Sequence, residues 1–192
     1  MSDTSSSLSL RSPLRTASAV FALVVLGSIG QMGCNRSDQS PSVSDSPTGD
    51  VVGQRIEFKA GVNSERYRVS GWSASEPNFT WSEGTSAKLA LPISAADGGL
   101  TVKVTMASLN HLPQLPFQPV ELYANGQKVA EWQVGDMAEF VATIPGEITK
   151  AGGTLTLEFR TPKATSPKTL GVNADPRVLG VCVSSLELAR TT

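Results

Sequence analysis

From residue 51 to residue 192 the chain repeats one pattern, an apolar side chain at every second position over short runs. Successive side chains of a strand point to opposite faces, so each run buries one face and wets the other. Leu100, Val102, Val104 and Met106 alternate with Thr101, Lys103 and Thr105. Leu155, Leu157 and Phe159 do the same within Thr154–Arg160, as do Ile56 and Phe58 within Arg55–Lys59, and Leu89, Leu91 and Ile93 within Lys88–Ile93. Near the end, Cys182, Ser184, Leu186 and Leu188 are expected on one inward face, with Glu187 opposite. Less regular strands are expected at Tyr67–Ser73, Val120–Ala124, Lys128–Val134 and Met137–Ile144. Asn125-Gly126 predicts a hairpin, because both residues tolerate positive φ. No stretch of about eleven residues carries an apolar stripe at helical spacing. One-faced strands without intervening helices suit two packed antiparallel sheets, so the expectation is an all-β antiparallel β-sandwich of eight to ten strands.

Two stretches interrupt the pattern. Residues 109–119, LNHLPQLPFQP, carry prolines at 113, 116 and 119. Each lacks the ladder donor, which predicts a shaped loop rather than a central strand. The connection from Thr161 to Val178 holds Pro162, Pro167 and Pro176 and is long for a compact domain, a feature often tied to function.

Residues 1–50 read differently. Arg11 and Arg15 precede an apolar run from Ala17 to Ile29, the length of an export-signal core and short for a bilayer-crossing helix. Gly33 and Cys34 follow, and the arrangement resembles a bacterial lipoprotein signal, in which the cysteine becomes the lipidated first residue. Gln31 stands where such signals usually carry an aliphatic residue. Lipidation of Cys34, cleavage by an ordinary signal peptidase and a retained membrane anchor all predict export to the cell envelope, at a periplasmic face or an outer surface. Residues 34–50 hold five serines and one aliphatic side chain, Val43, too little apolar surface to offset chain ordering. The organisation expected is a signal over 1–33, a disordered tether over 34–50 and a sandwich domain over 51–192.

Charge narrows the function. The chain has 16 basic and 17 acidic side chains, and residues 51–192 balance at 13 of each, which removes the electrostatic case for nucleic-acid binding. One histidine, His111, offers little to metal or triad chemistry, and no dense Asp/Asn spacing suggests calcium, so no metal and no cofactor are expected. Cys182, the cysteine left once Cys34 is lipidated, is expected to be a buried, inert thiol.

The polar and aromatic motifs read together are GWSASEPNFTWSEG (71–84), ELYANGQKVAEWQV (121–134), ATIPGEI (142–148) and LTLEFRTPKATSPKTLGVNADPRVLGV (155–181). Their order resembles a bacterial β-sandwich domain of unassigned function found at the C-terminus of membrane glycosyltransferases and in surface-polysaccharide proteins. The resemblance covers nearly all of residues 51–192. It is carried by Gly71, Trp72, Ser73, Glu76, Trp81 and Gly84, and by Ser166, Pro167, Leu170, Gly171, Asp175, Arg177, Leu179 and Gly180. It implies a jelly-roll-like sandwich outside the cytoplasm, associated with glycans or their synthesis. This chain departs from that pattern in standing alone behind an export signal, with no synthase attached, so a direct part in sugar transfer is not expected.

The candidate site residues are Trp72, Glu76, Phe79, Trp81, Glu83 and His111. An indole face can stack on the C–H face of a pyranose, and carboxylates can accept hydrogen bonds from its hydroxyls. Against this, Trp72 and Trp81 can anchor the core, and Trp132 shares a face with Ala130 and Val134 as a core residue would. Glu76 and Glu83 also admit a carboxylate pair about 5–9 Å apart for glycoside cleavage, although their spacing does not demand it. Asp175 and Arg177 read either as a ligand-facing pair or as a loop brace. The leading expectation is a non-catalytic, envelope-tethered module contacting cell-surface polysaccharide or a glycan-synthesis protein. The alternatives are a protein–protein module and a glycan-modifying enzyme.

Overall fold

The computed structural model describes residues 49–191. The expected signal, Cys34 and nearly all of the tether lie outside the described residues. Asp50, at the tether's end, is tied to the domain: its carboxylate accepts the Val52 N–H at 2.9 Å and a bond from the Ser94 hydroxyl.

Ten strands form two antiparallel sheets among the described residues. In chain order they are β1 (Arg55–Glu57), β2 (Arg68–Ser70), β3 (Thr80–Glu83), β4 (Ser86–Ile93), β5 (Leu100–Ser108), β6 (Gln118–Ala124), β7 (Gln127–Val134), β8 (Ala138–Ile144), β9 (Gly153–Arg160) and β10 (Leu179–Arg190). One sheet runs β1-β10-β5-β8, with β3 also paired to β10; the other runs β2-β4-β9-β6-β7. Every connection except the β6–β7 hairpin passes from one sheet to the other, a jelly-roll-like winding.

The alternating runs explain this packing. Leu89, Leu91, Leu122, Leu155, Leu157 and Phe159 face the other sheet's Val102, Val104, Met106, Val181, Val183, Leu186 and Leu188, all buried in one cluster. Burial of each such side chain contributes about 1.5–3 kcal/mol. Trp132 packs against this cluster and tilts against Phe140 at 5.7 Å, bringing the edge strands β7 and β8 together. The hairpin at Asn125-Gly126 has φ of 46° and 84°.

Three expectations need correction. Pro119 lies inside β6, paired with Gln133 of β7, whereas β9 joins β6 only from Glu121 onward. The proline therefore sits where one side of the strand needs no ladder partner. The expected strand Tyr67–Ser73 shrinks to Arg68–Ser70, because a 3-10 turn (Asn63–Tyr67) takes its start and Gly71, at φ 73°, ends it. Finally, Cys182 is buried but does not face the core. It pairs with Ala107 and Trp81, while its neighbours Val181 and Val183 join the core. A bulge at Ser184, the extra residue between the Val183↔Met106 and Ser185↔Thr105 pairs, shifts the phase of β10. Leu186 and Leu188 thus face inward where Cys182 faces outward.

Candidate functional site

The segment 71–84 is a hairpin rather than a loop. The Ser73 N–H donates to the Trp81 carbonyl at 3.0 Å, and the Glu83 N–H donates to the Gly71 carbonyl at 2.8 Å. The Glu76 N–H donates to the Phe79 carbonyl at 2.8 Å, closing the turn around Pro77 and Asn78. Strand β3 escapes a hydrophobic-in pattern because its polarity is inverted: Thr80 and Ser82 are buried, and Trp81 and Glu83 take the opposite face. The buried hydroxyls are satisfied locally. The Thr80 hydroxyl donates to the Phe58 carbonyl at 2.8 Å, and the Ser82 oxygen accepts the Val181 N–H at 2.9 Å.

This inversion puts aromatic and charged groups together on the outer face of the β3–β10 edge. Phe79 and Trp81 meet edge to face, centroids 5.7 Å apart, and both remain partly exposed. Glu83 follows Trp81 by two residues and shares its face. Glu76 forms an ion pair with Arg177 at 3.7 Å. Arg177 also grips Asp175 with two nitrogens, Nε at 3.0 Å and Nη2 at 2.7 Å from Oδ2. The bond from Arg177 holds the Asp175 carboxyl below the usual aspartate range, and Arg177 is raised by Asp175 first, after which Glu76 and Glu83 add to the effect. Burial pushes the Cys182 thiol up, beside Trp81, and the Glu76 charge adds to it.

Asp175 also braces the long connection. Its carboxylate accepts the Arg177 backbone N–H at 2.9 Å, and its carbonyl accepts the Lys168 N–H at 2.9 Å. The pair has the brace geometry while Arg177 still reaches Glu76. Gln118, fully buried, holds the same connection by accepting the Lys163 N–H at 3.1 Å, a role that nothing in its sequence context signals.

The other candidates lie elsewhere. Trp72 packs against the core beside Phe58 (5.4 Å) and Phe159 (6.1 Å), and its indole N–H donates to the Lys88 carbonyl at 2.9 Å. It belongs to the core, not to the Trp81 face. His111 lines a cavity of about 590 Å³ with Asn110, Leu112, Pro116, Gly135 and Asp136. Sequence reasoning also missed Arg68, whose side chain is nine-tenths buried at a second groove beside Trp72. A one-residue phase difference within the segment YRVSGWS hid it, since Val69 is exposed there and Arg68 is not.

No family model matches the chain, and no curated protein matches it. Among solved structures, it is similar to the CBM36-1 domain of a multidomain xylanase from the hindgut metagenome of Trinervitermes trinervoides. That likeness has 16% identity over 71% of this chain and 92% of that one, with a TM-score of 0.39. A family 6 carbohydrate-binding module from Clostridium cellulolyticum, in complex with xylose, is 11% identical over 73% and 98%, with a TM-score of 0.42. An acetyl xylan esterase from Butyrivibrio proteoclasticus is 12% identical over 72% of this chain and 34% of its own, with a TM-score of 0.44. The fold class is the one defined by the strand register: a jelly-roll-like antiparallel β-sandwich.

Proposed function

We propose that this chain is a non-catalytic glycan-contact module, exported and held at the cell envelope through a lipidated Cys34. The observation that carries the reading is the partly exposed Phe79–Trp81 pair, bordered by Glu76, Glu83 and the Arg177–Asp175 pair. A partly exposed indole offers apolar area to a pyranose ring, and the carboxylates and guanidinium offer acceptors and donors to its hydroxyls. Such a flat platform binds single sugars weakly, and many copies on one membrane raise the effective affinity. The association with surface glycans that the sequence resemblance implies fits this role. The pairing of Glu76 with Arg177 supports a non-catalytic role for that carboxylate. Glycan-array binding of the full chain tests the proposal: polysaccharide is retained by the native chain and lost by Trp81→Ala. No retention of any polysaccharide overturns it.

A second reading, a protein–protein module, draws on apolar side chains exposed on the loop 109–117 and on the connection before β10, namely Leu112, Phe117, Val172 and Val178. Crosslinking separates the two. Capture of one defined envelope protein through these loops, with Trp81→Ala binding unchanged, favours the second reading.

A further inference from the structure

Beside strand β2 lies a groove of about 320 Å³, lined by Glu65, Arg68, Trp72 and their neighbours between Val69 and Ala74. That volume suits a small molecule. Its cation is the most buried of those in ion pairs among the described residues, the side chains of Arg55, Lys88, Lys128, Arg160 and Arg177 being 38–56% exposed. The Arg68 side chain is nine-tenths buried, and Nη1 donates to the Ser73 carbonyl at 2.9 Å, which fixes the guanidinium plane. Nη2 meets a carboxylate oxygen of Glu65 at 2.9 Å. Glu65 itself is mostly exposed, with 69% of its side-chain surface open to solvent.

The pairing is therefore asymmetric. The cation is held by burial and by a backbone bond, while its partner is a flexible side chain from the 3-10 turn. An exposed partner of this kind contributes little and exchanges readily with water. A guanidinium presents five N–H donors in a fixed fork that fits carboxylates. Glu65 thus occupies the position of a ligand. Gly71 keeps the groove in place: a Cβ there would sit 2.0 Å from the Ser86 carbonyl oxygen, so the main chain lies directly against β4.

We infer that this groove binds a small organic carboxylate, with Arg68 as its anchor, Trp72 as a wall and Glu65 as a displaceable internal substitute. The site shares no lining side chain with the Phe79–Trp81 platform. A carboxylate of this kind can come from an acidic sugar or from a peptide chain end, and the test distinguishes the two.

The isotope-labelled full chain is titrated with galacturonate and N-acetylalanine, and with their uncharged counterparts galactose and N-acetylalanine methylamide, following the amide resonances of Gly71–Ala74 and the Trp72 indole N–H. The charged probes are expected to shift these resonances saturably and the uncharged ones to leave them in place, with binding weakened by added salt. Shifts with galacturonate alone assign an acidic sugar, with N-acetylalanine alone a chain end, and with both the carboxylate itself. Glu65→Gln removes the competitor and is expected to tighten binding about two- to five-fold. Arg68→Lys keeps the charge without the fork and is expected to weaken it about ten-fold. If that variant fails to fold, Glu65→Gln still decides, since its side chain is exposed. Equal shifts from charged and uncharged probes, no saturable shift, or unchanged or weaker binding in Glu65→Gln each overturn the proposal. Because Trp81→Ala leaves this site intact, its failure and that of the glycan platform are separable.

Discussion

Two tryptophans nine residues apart have opposite duties. Trp72 rests against Phe58 and Phe159 with its indole N–H bonded to a backbone carbonyl, whereas Trp81 stands outward beside Phe79. Trp72→Ala is expected to destabilise the domain by about 3 kcal/mol or more, the range for a packed aromatic, and Trp81→Ala by much less. Urea denaturation of both variants checks this, and equal losses would contradict the assignment. Acid acts on the Asp175 brace. The folded Asp175 carboxyl titrates below its unfolded value, so its contribution is fully present above about pH 4 and is lost as pH falls through the lower folded value. Hydrogen exchange at Arg177, whose backbone N–H the Asp175 carboxylate holds, should therefore accelerate as pH drops below about 4, relative to the amides of β5.

At the scale of elements, the hairpin 71–83 positions both proposed sites, and Gly71 is its pivot. Its φ of 73° and the 2.0 Å approach to the Ser86 carbonyl oxygen leave no room for a side chain. Gly71→Ala is expected to cost about 2 kcal/mol or more, read as a lowered Tm, and to disturb the Arg68 groove and the Trp81 face together. Gly84→Ala, also at positive φ but with open space around its Cβ, is the milder control. This hairpin was the least legible element in the sequence. A period-two pattern reveals a strand when its inward face is apolar, and β3 turns Thr80 and Ser82 inward instead. The bulge at Ser184 hid the orientation of Cys182 for a related reason, since one extra residue reverses every side chain beyond it.

For the whole molecule, the sandwich was legible because its core strands β4, β5, β6 and β9 keep strict alternation, with inward positions almost entirely buried. Alternation reports which face of a strand is wet, and that suffices to require two facing sheets. It carries no information on which distant segments meet at the rim. Residue type and spacing single out Glu76, Trp81 and Glu83, and separately Asp175 and Arg177, but the Glu76–Arg177 ion pair joins segments that are distant in the chain and meet only where β3 docks on β10. Residue type alone also groups His111 and Trp72 with them, and the fold sends each elsewhere. The central claim is that the outer face of β3 holds glycan through Trp81. The most direct test is co-sedimentation of the native full chain and of Trp81→Ala, matched for Tm, with insoluble envelope polysaccharide. The account predicts that the native chain is retained and that the variant loses at least about ten-fold in affinity, as expected of an aromatic anchor. Equal retention of the two proteins, or retention of neither, would contradict it.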